Sequence, residues 1–172
     1  ATVTRPKTIS DEDVLAAALE VLAENGNSFT LSDLATRVGL SRATLIQRFG
    51  NREAILLRIA TYEADATQTW LESLPHDGLW PFLEQIVTSM GQGEGFSARV
   101  TLAALEARDP ALRALAHRRY RLVKGAIAAR LPPGPDRERT AEHLHAVIAG
   151  ATMQWVATNG DVGLSDYVLG RL

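Results

Sequence analysis

Gly39 and Ser41, two residues apart, constrain this 172-residue chain more than any other feature. Ahead of them, Leu31, Leu34, Ala35 and Val38 recur at helical spacing between Thr30 and Val38. Behind them, Leu45 and Phe49 lie four apart, so they share one face of a second short helix. Glycine tolerates the left-handed backbone of a tight corner, and serine is a favoured helix cap. Two short helices meeting at a fixed corner, with Leu40 plugging the gap between them, form a helix-turn-helix. The second helix of such a unit can lie in a DNA major groove.

The rest of the chain reads as helix. Ser10 and Asp13 form a capping box with a shortened acid, and Val14, Leu15, Ala18, Leu19 and Leu22 make one apolar stripe ended by Asn25-Gly26-Asn27. Thr30 with Asp33 repeats the cap. Gly50-Asn51 starts a fourth helix carrying Ile55, Leu56, Ile59 and Tyr62. Further helices are predicted from Pro81 to about Met90, Ser97 to Ala107, Pro110 to about Leu131 and Arg137 to Thr158, and, after a break at Asn159-Gly160-Asp161, a final helix ending at or near Leu172. Gly91 to Gly95 reads as a loop, and Pro132-Pro133-Gly134-Pro135 as a linker. No segment alternates like a strand. The expected architecture is all-α: a three-helix head with an N-terminal arm over residues 1–50, and a helical body over 51–172.

Composition narrows the chemistry. The chain has no cysteine, which removes disulfides, zinc fingers and thiol catalysis together and suits a reducing cytoplasm. Its apolar runs, such as Ala146–Met153, are far too short to span a bilayer, and no signal-peptide pattern is present. The chain opens without methionine, so a processed or trimmed start is expected. The net charge of −2 argues against a nonspecific nucleic-acid coat. Charge is nevertheless segregated. Six acids precede residue 34, whereas Arg37 to Arg58 holds five arginines and one acid, Glu53. That places basic charge where phosphates would lie.

The run from Thr30-Leu31-Ser32-Asp33-Leu34-Ala35 through Gly39-Leu40-Ser41, Thr44-Leu45 and Phe49 to Asn51-Arg52-Glu53-Ala54-Ile55-Leu56 resembles the DNA-binding head of the TetR family of transcriptional regulators. The resemblance covers about 45 residues from Val14 onward. It implies an all-helical homodimer whose head binds DNA and whose C-terminal body binds a small effector and the partner subunit. Within that frame Arg42 and Arg48 can bond a guanine edge or hold phosphates, and Gln47 can pair with adenine. Ala43 and Thr44 are small enough for close approach and for a thymine methyl. Ser41 and Thr30 can donate to phosphates from helix N-termini, although both are helix caps in any case. Arg52 matches a family position that grips a phosphate, and Arg5 and Lys7 can reach a neighbouring groove. Many relatives carry tyrosine where this chain has Ile46, which cannot contact a phosphate, so anchoring there is weaker or is compensated by Arg48.

In the body, Trp80, Phe96, Tyr120 and Trp155 are the candidate lining of an effector pocket. Arg99, His117, His143, His145 and Gln154 are its candidate polar groups. Aromatics at this spacing also fill ordinary cores. Leu144, Val147, Ile148 and Ala151 on one helix, with Val168, Leu169 and Leu172, resemble the family's dimer interface, where Ala149-Gly150-Ala151 permits close helix approach. The basic cluster from His117 to Lys124 is most simply a solvated face.

Catalytic motifs are missing. Glu142 and His145 form one Glu-x-x-His, half of a di-iron pattern, without a second copy. His143 and His145 are two apart and cannot chelate together on a helix. No HExxH, phosphate loop or nucleophile elbow occurs. Neither a metal nor another cofactor is expected. The expected function is a cytoplasmic repressor released from a palindromic operator by a small apolar or amphipathic molecule. The rivals are a helical interaction module and an activator without ligand-relieved repression.

Overall fold

The computed structural model describes residues 9–90, 94–158 and 160–172, with the side chains of residues 94–97 outside the description. Nine α-helices appear among them: α1 (Asp11–Asn25), α2 (Leu31–Val38), α3 (Arg42–Phe49), α4 (Arg52–Ser73), α5 (Leu79–Met90), α6 (Glu94–Glu106), α7 (Pro110–Ala128), α8 (Arg137–Trp155) and α9 (Leu164–Leu169). Among the described residues there is no strand, and no helix is long and apolar enough to cross a membrane.

The helix starts follow from local chemistry. The Thr30 hydroxyl accepts from the Asp33 amide at 3.2 Å, and the Asp33 carboxylate accepts from the Thr30 amide at 2.9 Å, a complete capping box. The Thr30 hydroxyl also donates to the Asp33 carboxylate at 2.6 Å, and this bond, with that from the Thr30 amide, holds the Asp33 carboxyl below its usual range. At α1 half of that box forms: the Ser10 hydroxyl accepts from the Asp13 amide and donates to the Asp13 carboxylate. Ser41, Asn51 and Asp109 cap α3, α4 and α7, and Pro110 occupies the first turn of α7.

The helix ends depart from expectation by a few residues. α6 begins at Glu94, three residues early, and residues 91–93 of the expected loop lie outside the description. α8 passes into a 3-10 turn at Val156–Thr158, and α9 stops at Leu169 because the last three residues close as turns.

Two cores form. The first gathers Val14, Ala18 and Leu22 of α1, Phe29, Leu34 of α2, Leu45 and Phe49 of α3, Ile55, Leu56 and Ile59 of α4, and Leu102 of α6. The head's core therefore continues past residue 50 and includes one residue from far along the chain. The second core joins Leu71 and Leu74 of α4 to Phe82, Leu83 and Ile86 of α5, Ile127 of α7, Ile148 of α8 and Val168 of α9. Arg130 seals one end of it, stacked 3.6 Å from the Phe82 ring centroid and donating to the Pro75 carbonyl.

The corner itself depends on backbone handedness. Gly39 sits at φ 67°, ψ 28°, and its amide donates to the Ala35 carbonyl. Gly50, between α3 and α4, sits at φ 90°, where a Cβ would also lie 3.1 Å from the Ala54 Cβ. We expect Gly39→Ala to cost about 1–2 kcal/mol, because only the left-handed backbone opposes it. Gly50→Ala should cost more, since it adds a contact. Urea denaturation midpoints measure both, and an unchanged midpoint for Gly39→Ala would remove the handedness argument.

Candidate DNA-binding face and effector cavity

α3 is amphipathic in the manner required of a recognition helix. Leu45 is completely buried and Phe49 nearly so, while Arg42, Ala43, Ile46 and Gln47 are exposed. Thr44 is half-buried, its hydroxyl 2.8 Å from the Ser41 hydroxyl. Arg42 makes no ion pair among the described residues. A shallow groove beside this face is lined by Thr30, Leu31 and Ser32 of the α2 start, Arg42 and Ile46 of α3, and Asn51, Arg52 and Glu53 of the α4 start. Two helix N-termini thus meet beside Arg42, and their free amides favour an anion such as a phosphate. Ile46, at 44% exposure, contributes only apolar surface there.

Two arginines do not stand where the sequence suggested. Arg48 was expected to face DNA, yet its guanidinium bonds the Asp11 carboxylate and donates at 3.0 Å to the Ile9 carbonyl. Arg58 joins the same carboxylate at 3.3 Å. The Arg48 hydrogen bond is the main cause holding the Asp11 carboxyl below its usual range. The residue ties the last turn of α3 to the first turn of α1, because its position six past Arg42 brings it round toward α1. Arg52 was expected to hold a phosphate, but it donates to the carbonyls of Phe29 (2.9 Å) and Asn27 (3.0 Å). It is first a brace between α4 and the turn before α2, with its remaining N–H groups left for any groove ligand. Arg5 and Lys7 lie outside the described residues.

The body contains a cavity of about 290 Å³ walled by α4 to α8. Trp70, Ile86, Met90, Val100 and Val123 supply apolar surface, and Glu63, Arg99, Glu106, Arg119 and His145 supply polar groups. Of the expected lining, Tyr120 is present, its ring meeting His145 edge-on with centroids 5.5 Å apart. Trp80 is not: it is half exposed on α5 and its indole donates to Glu84. Trp155 is not: its indole donates to the Val162 carbonyl at 2.7 Å and fastens the loop before α9. The side chain of Phe96 lies outside the description. Trp70, an aromatic of the body left out of the candidate lining, projects from the cavity stretch of α4. The signal was its spacing, seven residues after Glu63 and four after Ala66, on one helical face. Of the polar candidates Arg99 and His145 reach the cavity, whereas His117, His143 and Gln154 are exposed elsewhere.

Charge in the cavity is unevenly matched. Glu106, one of two buried polar residues among the described residues, is ion-paired with Arg119. Burial pushes its carboxyl up, and the guanidinium pulls the other way. Burial lowers the His145 pKa, leaving a neutral imidazole near pH 7. Glu142, the other half of Glu-x-x-His, is exposed, and among the described residues no group of three possible metal ligands occurs.

α6 presents two faces. Ala98 and Leu102 are buried and Leu105 packs on the head core, while Arg99, Val100, Ala103 and Glu106 line the cavity. α6 packs along α1. α4 is shared in the same way: Ile55 to Ile59 in the head core, Glu63 to Trp70 on the cavity wall.

The expected dimer residues divide in the single chain. Ile148, Ala151 and Val168 are buried in the chain's own second core, so they are not free to meet a partner. Leu144, Val147, Leu169 and Leu172 are half-buried. The open strip of α8 is instead Ala146, Gly150 and Met153, one helical face over.

A two-helix corner with an outward, partly cationic second helix, joined to a helical body that carries an open cavity, defines a helix-turn-helix protein. Residues 14–59 match the bacterial regulatory proteins of the tetR family, and residues 75–171 match the tetracyclin repressor-like C-terminal domain. The chain belongs to the TetR family of transcriptional regulators. No curated protein matches it in sequence. In fold it is similar to a transcriptional regulator from Rhodococcus sp. Rha1 (18% identity, 95% of this chain and 96% of that one, TM-score 0.78). It is also similar to a TetR-family member from Streptomyces coelicolor A3 (19%, 91% and 92%, TM-score 0.74). A third likeness is a Saccharomonospora viridis protein assigned to transcriptional regulation and solved in complex with choline (20%, 91% and 90%, TM-score 0.69).

The four polar side chains around α3 should separate by assay. Arg42→Ala and Gln47→Ala are expected to cost about 1–3 kcal/mol on a selected operator and to relax its specificity. Arg48→Ala should lower the melting temperature while leaving sequence preference intact. Arg52→Ala should lower stability and weaken all duplexes alike. Anisotropy titrations on matched and mutated duplexes, with thermal melts, check these outcomes; a specificity change in Arg48→Ala would return that residue to the DNA face.

Proposed function

We propose that this regulator is a cytoplasmic homodimeric repressor that leaves a palindromic operator when a small molecule fills the body cavity. The carrying observation is that α4 and α6 each hold residues of the head core and residues of the cavity wall. A ligand that alters the spacing of α6 against α4 must therefore act on the packing beneath α3. A ligand shifts such an equilibrium only by its difference in affinity for the two arrangements. The choline bound to the Saccharomonospora viridis protein supports a small-molecule role for a body of this fold. No step in this reading is catalytic.

Dimerisation is proposed because one eight-residue recognition helix reads few base pairs, and two-fold symmetry doubles the number. The surface offered for it is the open strip of α8, with Leu144 and Val147 at its margin and Leu169 and Leu172 beside it. Gly150 is central: a Cβ there meets nothing within 4 Å in the single chain, so its smallness is not required by intrachain packing.

Selection from a random duplex library tests the regulator reading, which expects a palindromic consensus. Absence of enrichment would favour the interaction module instead. Gly150→Leu should leave the monomer folded and weaken self-association by about 1–3 kcal/mol, the usual cost of overpacking a close contact. Sedimentation equilibrium measures it, and a dimer untouched by that substitution would move the interface elsewhere.

A further inference from the structure

Arg99 is a guanidinium on the cavity wall with no hydrogen bond or ion pair among the described residues. Among those residues no fully buried side-chain nitrogen lacks a partner, so its N–H groups are open to whatever occupies the cavity. The nearest compensation is incomplete. Glu106 is committed to Arg119. Glu63 attracts Arg99 from across the wall without closing an ion pair, and Arg119 repels it. Burial accordingly depresses the Arg99 pKa despite Glu63, although guanidinium stays charged near pH 7. The remaining surface is apolar: Trp70, Ile86, Met90, Val100 and Val123.

Resting on the ligand-responsive reading above, we propose that the effector is an amphipathic organic anion, its carboxylate bound by Arg99 and its apolar tail against Trp70 and Met90. Guanidinium matches a planar carboxylate in a bidentate fork, which gives orientation as well as attraction. His145, which lines the same cavity with its protonation disfavoured by burial, adds a hydrogen-bonding group without adding charge. The cavity of about 290 Å³ lies near the small end of ligand pockets, roughly 300–1,000 Å³, which suits a medium-chain acid rather than a bulky polycycle.

Octanoate, octan-1-ol and octyltrimethylammonium share one tail and differ in head charge, and calorimetry on the full chain compares them. We expect octanoate to bind at least about tenfold more tightly than the alcohol, with the ammonium weakest. Arg99→Met should abolish the carboxylate's advantage and leave octanol affinity unchanged. Its unliganded melting temperature should hold or rise, because an undercompensated charge is removed. Glu63→Gln should tighten octanoate binding by withdrawing the competing acid. Equal binding of the alcohol, preference for the ammonium, no binding of any probe, or a sharp fall in the Arg99→Met melting temperature would each overturn the anion assignment. The duplex selection reports separately. A palindromic consensus beside failed octanoate arms keeps the regulator and discards the anion, whereas no consensus removes the regulator itself.

Discussion

Leu45 is the pivot of this molecule. It is completely buried at the middle of an eight-residue helix, and everything α3 offers outward depends on that anchoring. A helix this short has little stability of its own in water, so its form and orientation come from tertiary packing. Leu45 and Phe49 supply the packing, and Gly39 and Gly50 let the chain enter and leave at angles a Cβ would resist. With the inward side fixed, Arg42, Ala43 and Gln47 have one direction left to face. Arg48 reinforces this, because its tie to Asp11 and the Ile9 carbonyl fixes the far end of α3 to α1.

The same economy governs the link between head and body. Neither α4 nor α6 belongs to one unit. α4 spends its first two turns under the recognition helix and its next turns along the cavity. α6 uses adjacent faces of a single cylinder for the two tasks, Leu102 for the head and Arg99, Ala103 and Glu106 for the cavity. Close-packed interiors transmit small displacements instead of absorbing them. A ligand bound between these helices is therefore never remote from the head in the mechanical sense. The cavity's polar groups come from α4, α6, α7 and α8, and α6 is also the helix that packs against α1.

Much of the fold was legible in the residues. Caps at Ser10, Thr30, Ser41 and Asp109, breaks at Gly39 and Gly50, and stripes such as Val14-Ala18-Leu22 are local signals, written within one or two helical turns. The outward surface of α3 was legible for Arg42, Ala43 and Gln47 because helical spacing alone sets them opposite Leu45. Arg48 and Arg52 were not. Each is a long side chain whose partner lies 37 or 23 residues away in sequence, and spacing along one helix carries no information about such a partner. Trp80 and Trp155 failed for a related reason. Their size marks them as important, but an indole can fasten a loop or a helix turn as well as line a cavity.

The sequence by itself determined the elements, the handed corner, and which face of each helix is apolar, since these depend on residues within a few positions of one another. It also carried the family resemblance, because the TetR head is a motif of spacing and residue type. Tertiary structure alone decided which apolar face meets which. It brought Leu102 into the head's core and turned Ile148 and Val168 inward, leaving Ala146 and Gly150 open. It also placed Arg99 on a cavity with its nearest acids only partly available. Those outcomes depend on which distant surfaces exclude water together and which charges are left without a counterpart when they do, a property of the packed whole rather than of any window along the chain.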